Sequence, residues 1–173
     1  PWQKEGRWGV RAGSRWPHTK DESEGGYMPF PFFLAYATAL LEKNNFNAMI
    51  IDAVAERMPE ESFLQKISSL KPDYLVAETS IPSFHDDLRM LEEINNLGIS
   101  VILCGPNSLI YDPHFLERYP FIDFVMYGEY EFTLLDLASC LRENKNLSSV
   151  KGLIYRENGK AIKNQKREVS DIN

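Results

Sequence analysis

Short apolar runs alternate along this chain with longer stretches in which apolar residues return every third or fourth position. Residues 47–53 (NAMIIDA), 73–80 (DYLVAETS), 100–104 (SVILC) and 122–127 (IDFVMY) are nearly continuous in apolar character and bounded by polar or turn residues. That is the pattern of strands covered on both faces. A shorter, only partly apolar stretch, residues 8–12, is expected to form a first strand ahead of them. Residues 59–70 place Phe63, Ile67 and Leu70 at helical spacing, and residues 84–97 do the same with Leu88, Leu91 and Ile94. Residues 32–41 are apolar almost all round, follow Pro31 and stop at Lys43, Asn44 and Asn45, as expected of a helix packed on a sheet. A short helix is expected at 114–119 and a last one at 131–142.

This alternation implies parallel strands joined by right-handed helical crossovers. The expected fold is α/β, a doubly wound, five-stranded parallel sheet with helices on both faces. Beyond it, GLIYRENGKAIKN reads as a β-hairpin whose Asn158 and Gly159 supply the two positive-φ positions of a type I′ turn. Residues 1–150 are accordingly expected to form one α/β domain, and residues 151–173 a hairpin appended to it and a polar linker.

Composition narrows the class. With 173 residues, 43% of them apolar and 25% charged, the chain has enough material for one domain with a real core. A net charge of -6 argues against a dedicated nucleic-acid binder, which would rest on clustered Lys and Arg. No apolar stretch approaches the ~20 residues that span a bilayer, and no signal peptide pattern opens the chain, so a cytoplasmic setting without membrane contact is expected. The opening at Pro1 and the polar close at KNQKREVSDIN suggest a piece of a longer protein.

The chemistry-bearing residues cluster just after strands. Thr79, Ser80, Pro82 and Ser83 follow one, and their hydroxyls can either bond a ligand or cap the next helix. Gly105, Pro106, Asn107 and Ser108 follow the next, where a glycine lets backbone approach a ligand without a Cβ in the way, or simply makes a turn. Gly128, Glu129 and Tyr130 follow the third. In an open parallel sheet these loops share one edge, where ligands bind. Glu129 and Glu131 lack the setting of a hydrolytic carboxylate pair, since Glu131 opens a helix whose dipole favours it there. Neither a GxGxxG fingerprint nor a P-loop is present, which leaves Asp52 as a strand-end or capping residue. Cys104 and Cys140 are far apart without a CxxC, and His18, His85 and His114 lie in separate segments, so no metal site is expected.

Taken in order, PFPFFLAYATALLEKNNF, MIIDA, PDYLVAETSIPSF, VILCGPNS and IDFVMYGEYEFTLLDL resemble the N-terminal cobalamin-binding domain of cobalamin-dependent radical S-adenosylmethionine enzymes. The opening GVRAGSRWP is similar to a subgroup of them, and the match covers about residues 7 to 142. The resemblance implies a flavodoxin-like, Rossmann-like three-layer sandwich of strand order 2-1-3-4-5 with cobalamin lying across the strand ends. It implies that Thr79, Ser80 and Ser83, around Pro82, contact the nucleotide tail or ring amides. Gly105, Pro106, Asn107 and Ser108 match the glycine-rich loop, and Gly128, Glu129 and Tyr130 match the Gly-Glu turn. One departure is that the family's Gly-Gly pair is Gly105-Pro106 here, which removes an amide donor.

The D-x-H-x-x-G motif that supplies a lower axial histidine is missing. The loop after the first strand holds only His18, without the flanking Asp and Gly, so base-off cobalamin without histidine ligation is expected. A CxxxCxxC triad is also missing, which assigns S-adenosylmethionine and the [4Fe–4S] cluster to a downstream radical domain of the same polypeptide. The piece itself is then a catalytically silent cradle. Methyl transfer, ring rearrangement or a non-methylating role all stand open for the parent. Two alternatives stand beside it: a degenerate domain of this fold serving as a scaffold or interaction module, and a small-molecule enzyme or receiver-like module. A receiver would want an acidic cluster and a Lys where this chain has GSRW, TSIPS and GEYE.

Overall fold

The computed structural model describes residues 30–168, together with the backbone of three two-residue strands near the start. These strands, β1 (Gln3–Lys4), β2 (Arg7–Trp8) and β3 (Thr19–Lys20), pair antiparallel in a small sheet of their own. Of the first strand expected at residues 8–12, Trp8 belongs to β2 and the remainder lies outside the described residues.

The main sheet has five strands in the order β4 (Tyr74–Glu78), β5 (Ser100–Cys104), β6 (Phe124–Met126), β7 (Leu153–Glu157) and β8 (Lys160–Lys163). β4, β5 and β6 are parallel, whereas β7 pairs antiparallel with β6 and β8 antiparallel with β7. The sheet is therefore mixed, and this corrects the expectation of five parallel strands in the order 2-1-3-4-5.

Two differences produce the mixed sheet. The hairpin is no appendix: β7 sets Leu153 and Ile154 opposite Met126 and Val125, closing the edge that β6 would otherwise present to water. Its turn is as expected, with Asn158 and Gly159 at φ 51° and 78°. Residues 47–53, in contrast, carry no ladder. In the expected order they reach the sheet only through a strand lying between them and β4, and among the described residues none occupies that place. Met49 and Ile50 are exposed as a result, and Asp52 turns the chain by accepting a hydrogen bond from the Ala55 N–H at 3.0 Å.

Side chains on β5 alternate between two cores, as the two-residue period of a strand requires. Val101 and Leu103 face α2 (Glu60–Leu70), α3 (Phe84–Asn96) and α4 (His114–Arg118), joining Ile67, Leu88, Leu91, Ile94 and Phe115. Ile102 and Cys104 face α1 (Phe32–Lys43) and α5 (Glu131–Arg142), joining Ala37, Leu134 and Leu137. This is the expected three-layer arrangement, with β5 almost wholly buried and β4 only half buried at the open side. No helix among the described residues is long and apolar enough to cross a membrane.

Candidate functional site at the strand ends

Because β4, β5 and β6 are parallel, the loops that leave them emerge at one edge of the sheet. The three groups of loop residues, 79–83, 105–108 and 128–130, follow these strands, and the loops touch one another. The Thr79 N–H extends the ladder to the Cys104 carbonyl at 2.9 Å, and the Tyr130 hydroxyl reaches back to Glu78 Oε1 at 2.7 Å.

In the first loop the hydroxyls turn inward. Thr79 and Ser83 are buried, and both donate to Asp87 Oδ2 on the first turns of α3, at 2.9 and 2.6 Å. Ser80 Oγ lies 3.0 Å from Ser83 Oγ, which closes the short 3-10 turn Ile81–Ser83. Burial pushes the Asp87 carboxyl above its ordinary value, against the opposing pull of the Ser83 and Thr79 hydroxyls. Thr79 and Ser83 thus hold the loop's shape, while the half-buried Ser80 and the exposed Ile81 and Pro82 form its surface.

The second loop turns on Gly105, at φ +110°. A Cβ there would stand 2.6 Å from the Thr79 carbonyl oxygen and 3.0 Å from its nitrogen. The packing of this loop against the Thr79 backbone by itself requires glycine here, whatever else approaches the loop. Asn107 is fully buried: its Oδ1 accepts from the Leu109 N–H at 3.1 Å, while its Nδ2 has no hydrogen-bond partner among the described residues. Pro106, Ser108 and Leu109 are exposed beside it.

In the third loop Gly128 and Glu129 are exposed and Tyr130 is buried. Burial is the main cause that pushes the Tyr130 phenol up, with Cys104 and Glu78 adding to it, so it remains a donor to Glu78. The Cys104 thiol is likewise pushed up by burial and donates to the Ala77 carbonyl at 3.4 Å.

Among the described residues no histidine belongs to this edge. His85 is exposed on α3 beside Phe84, and His114 pairs with Glu117 at 2.7 Å, a contact that raises its pKa; His18 lies outside the described residues. Among the described residues no three His, Cys, Asp or Glu side chains group to hold a metal ion. Concave surfaces occur elsewhere, including an open groove between α2 and α3 lined by Leu64, Ser68, Glu93 and Leu97.

Sequence reasoning missed two residues of this edge. Asp87 was detectable, lying one helical turn from Ser83. Tyr111 was not, because nothing local shows that its hydroxyl reaches Gly105. The exposed residues of these loops are Ile81, Pro82, Pro106, Ser108, Leu109, Gly128 and Glu129, with Ser80 half-buried.

No family model matches the chain. An uncharacterized methyltransferase, PH0819, of Pyrococcus horikoshii is 26% identical over 132 residues, 75% of this chain and 28% of its own length. The anaerobic magnesium-protoporphyrin IX monomethyl ester cyclase of Rubrivivax gelatinosus is 26% identical over 145 residues, 80% of this chain and 26% of its own length. The chain thus spans about a quarter of the curated relatives it matches. Among solved structures, the radical S-adenosylmethionine methyltransferase TsrM of Kitasatospora setae, with cobalamin and a [4Fe-4S] cluster bound, matches 81% of this chain and 27% of that one, at TM-score 0.67 and 18% identity. The cobalamin-dependent S-adenosylmethionine radical enzyme OxsB, with aqua-cobalamin and S-adenosylmethionine bound, matches 79% of this chain and 20% of that one, at TM-score 0.66 and 20% identity. These likenesses establish a shared fold.

Proposed function

We propose that this chain is a cobalamin-binding cradle and works within a larger polypeptide whose radical S-adenosylmethionine domain carries the [4Fe–4S] cluster. The observation that supports this reading is the strand-end edge. Three loops that leave parallel strands meet there and expose Ile81, Pro82, Pro106 and Leu109, next to a buried amide, Asn107 Nδ2, that has no hydrogen-bond partner among the described residues. A buried donor left without an acceptor costs about 1–3 kcal/mol, so an acceptor at this loop would relieve it. The residues present fit a corrinoid, whose macrocycle is flat and apolar and whose periphery is rich in amides.

When bound, cobalamin supplies a cobalt centre able to carry a group between donor and substrate. The chain's own residues bind and orient it. Ile81, Pro82, Pro106 and Leu109 supply the apolar contact, while Ser80, Asn107, Ser108 and the backbone of Gly105, Gly128 and Glu129 supply polar partners for its periphery. Thr79 and Ser83 act through Asp87 by fixing the loop, and Tyr130 fixes the third loop through Glu78. Among the described residues no histidine joins this edge, and base-off cobalamin without an imidazole from this chain is part of the same proposal. On this reading the described residues serve binding and positioning, and the substrate and reaction belong to the rest of the polypeptide.

Reconstitution with hydroxocobalamin, desalting and an absorbance spectrum test the reading. A stoichiometric corrinoid signal is expected, and after reduction the cobalt(II) EPR spectrum should lack nitrogen superhyperfine splitting. Absence of retained corrinoid would overturn the cradle and leave the scaffold alternative. The chain supplied with iron, sulfide, reductant and S-adenosylmethionine should produce no 5′-deoxyadenosine.

A further inference from the structure

We infer that Tyr111 is a positioning residue for the strand-end edge, fixing the loops of Gly105 and Gly128 relative to each other and tying both to the C-terminal hairpin. The inference rests on the cradle reading and deepens it. Tyr111 follows the glycine-rich loop at the end of the 3-10 turn Ser108–Tyr111. Its hydroxyl donates to the Gly105 carbonyl at 2.6 Å, and its ring packs against that of Tyr127, the residue before Gly128. One side chain therefore touches the second loop through its oxygen and the start of the third through its ring.

The ring and backbone of Tyr111 are held in turn by the hairpin. Lys163, the last residue of β8, donates from Nζ to the Tyr111 carbonyl at 2.6 Å and stands 4.7 Å over the Tyr127 ring. The Tyr111 and Tyr127 rings are 5.9 Å apart, and the Tyr127 hydroxyl donates to the Asn164 carbonyl just past the hairpin. Lys166 continues this run, with Cε 3.8 Å from where a Cβ on Gly128 would stand. Burial raises the Tyr111 phenol, which keeps it protonated and able to donate to Gly105 across the neutral range. The hairpin is thus mechanically joined to two of the loops that face the cofactor.

The test compares wild type, Tyr111→Phe, and Ile94→Val as a destabilised variant remote from the edge. Hydroxocobalamin affinity, melting temperature and amide exchange are measured for each. Tyr111→Phe keeps the ring stack and removes only the oxygen that binds the Gly105 carbonyl. Its affinity should fall by roughly fivefold to tenfold, the worth of one lost hydrogen bond, and amide exchange in the Gly105 loop should accelerate. Ile94→Val should melt lower and bind as wild type does. Wild-type affinity in Tyr111→Phe would overturn the positioning role while leaving the cradle standing. Equal loss of affinity in both variants would show that binding merely follows stability, which also overturns it. Failure of the wild type to bind would overturn the cradle reading, and this inference with it.

Discussion

Gly105 and Asp87 show how single residues set the strand-end edge. A side chain at Gly105 meets the Thr79 backbone at 2.6 Å, whereas one at Gly98, also at positive φ, meets nothing within 4 Å. Gly98→Ala should therefore cost about 1 kcal/mol from backbone strain alone, and Gly105→Ala at least about 2 kcal/mol, read as urea midpoints. Equal costs would mean that the close approach to Thr79 imposes nothing. Asp87 titrates with its pKa raised, so its protonated form is favoured by the fold. The stability this contributes is complete below the ordinary aspartate value of 3.8 and is lost as pH rises through the raised value. Asp87→Asn removes that slope. Wild-type melting temperature measured against Asp87→Asn should fall as pH rises from about 4 toward neutral, and a constant difference would sink the assignment.

Among the elements, those read best from sequence were bounded by their own chemistry. Residues 100–104 and 131–142 form β5 and α5 with the expected ends, because turn residues flank the first and a well-placed acid and base, Glu131 and Arg142, close the second. The run at 47–53 is equally apolar and forms no strand. Apolar character records that a segment can be covered on both faces, but not that a ladder partner stands beside it. The hairpin was legible as a hairpin from Asn158-Gly159, yet nothing local says which edge it joins. The site divides in the same way: the loops were legible from residue type, while the inward turn of Thr79 and Ser83 depends on Asp87 and on burial that only the packed helix creates. Arg156 shows how firmly the hairpin is fixed. Its Nη2 donates to the carbonyls of Leu116 and Tyr119, at 2.7 and 3.0 Å, at the end of α4. Arg156→Met should cost about 1–3 kcal/mol in chemical denaturation while leaving the circular dichroism unchanged.

On the scale of the whole molecule, the segment after β8 belongs to the folded body as far as it is described. Asn164 Nδ2 donates to the Leu147 and Val150 carbonyls, the Gly152 N–H donates to the Gln165 carbonyl at 2.7 Å, and Arg167 reaches Thr133 and Asp136. Removing residues 164–173 should lower the melting temperature by roughly 4–8 °C, from about 2 kcal/mol of lost bonds. An unchanged midpoint would show that this segment only rests on the surface. The opposite side of the sheet has the reverse character. β4 is built like an interior strand: Leu75, Val76 and Ala77 meet apolar cores on both faces, and neither lysine nor proline guards the strand itself. Among the described residues nothing pairs with its outer row of amides and carbonyls, and such an edge is a template for an extended chain, another copy included. The isolated chain should scatter more light as its concentration rises, and its shelf life would be set by this one strand rather than by how well the cores are packed.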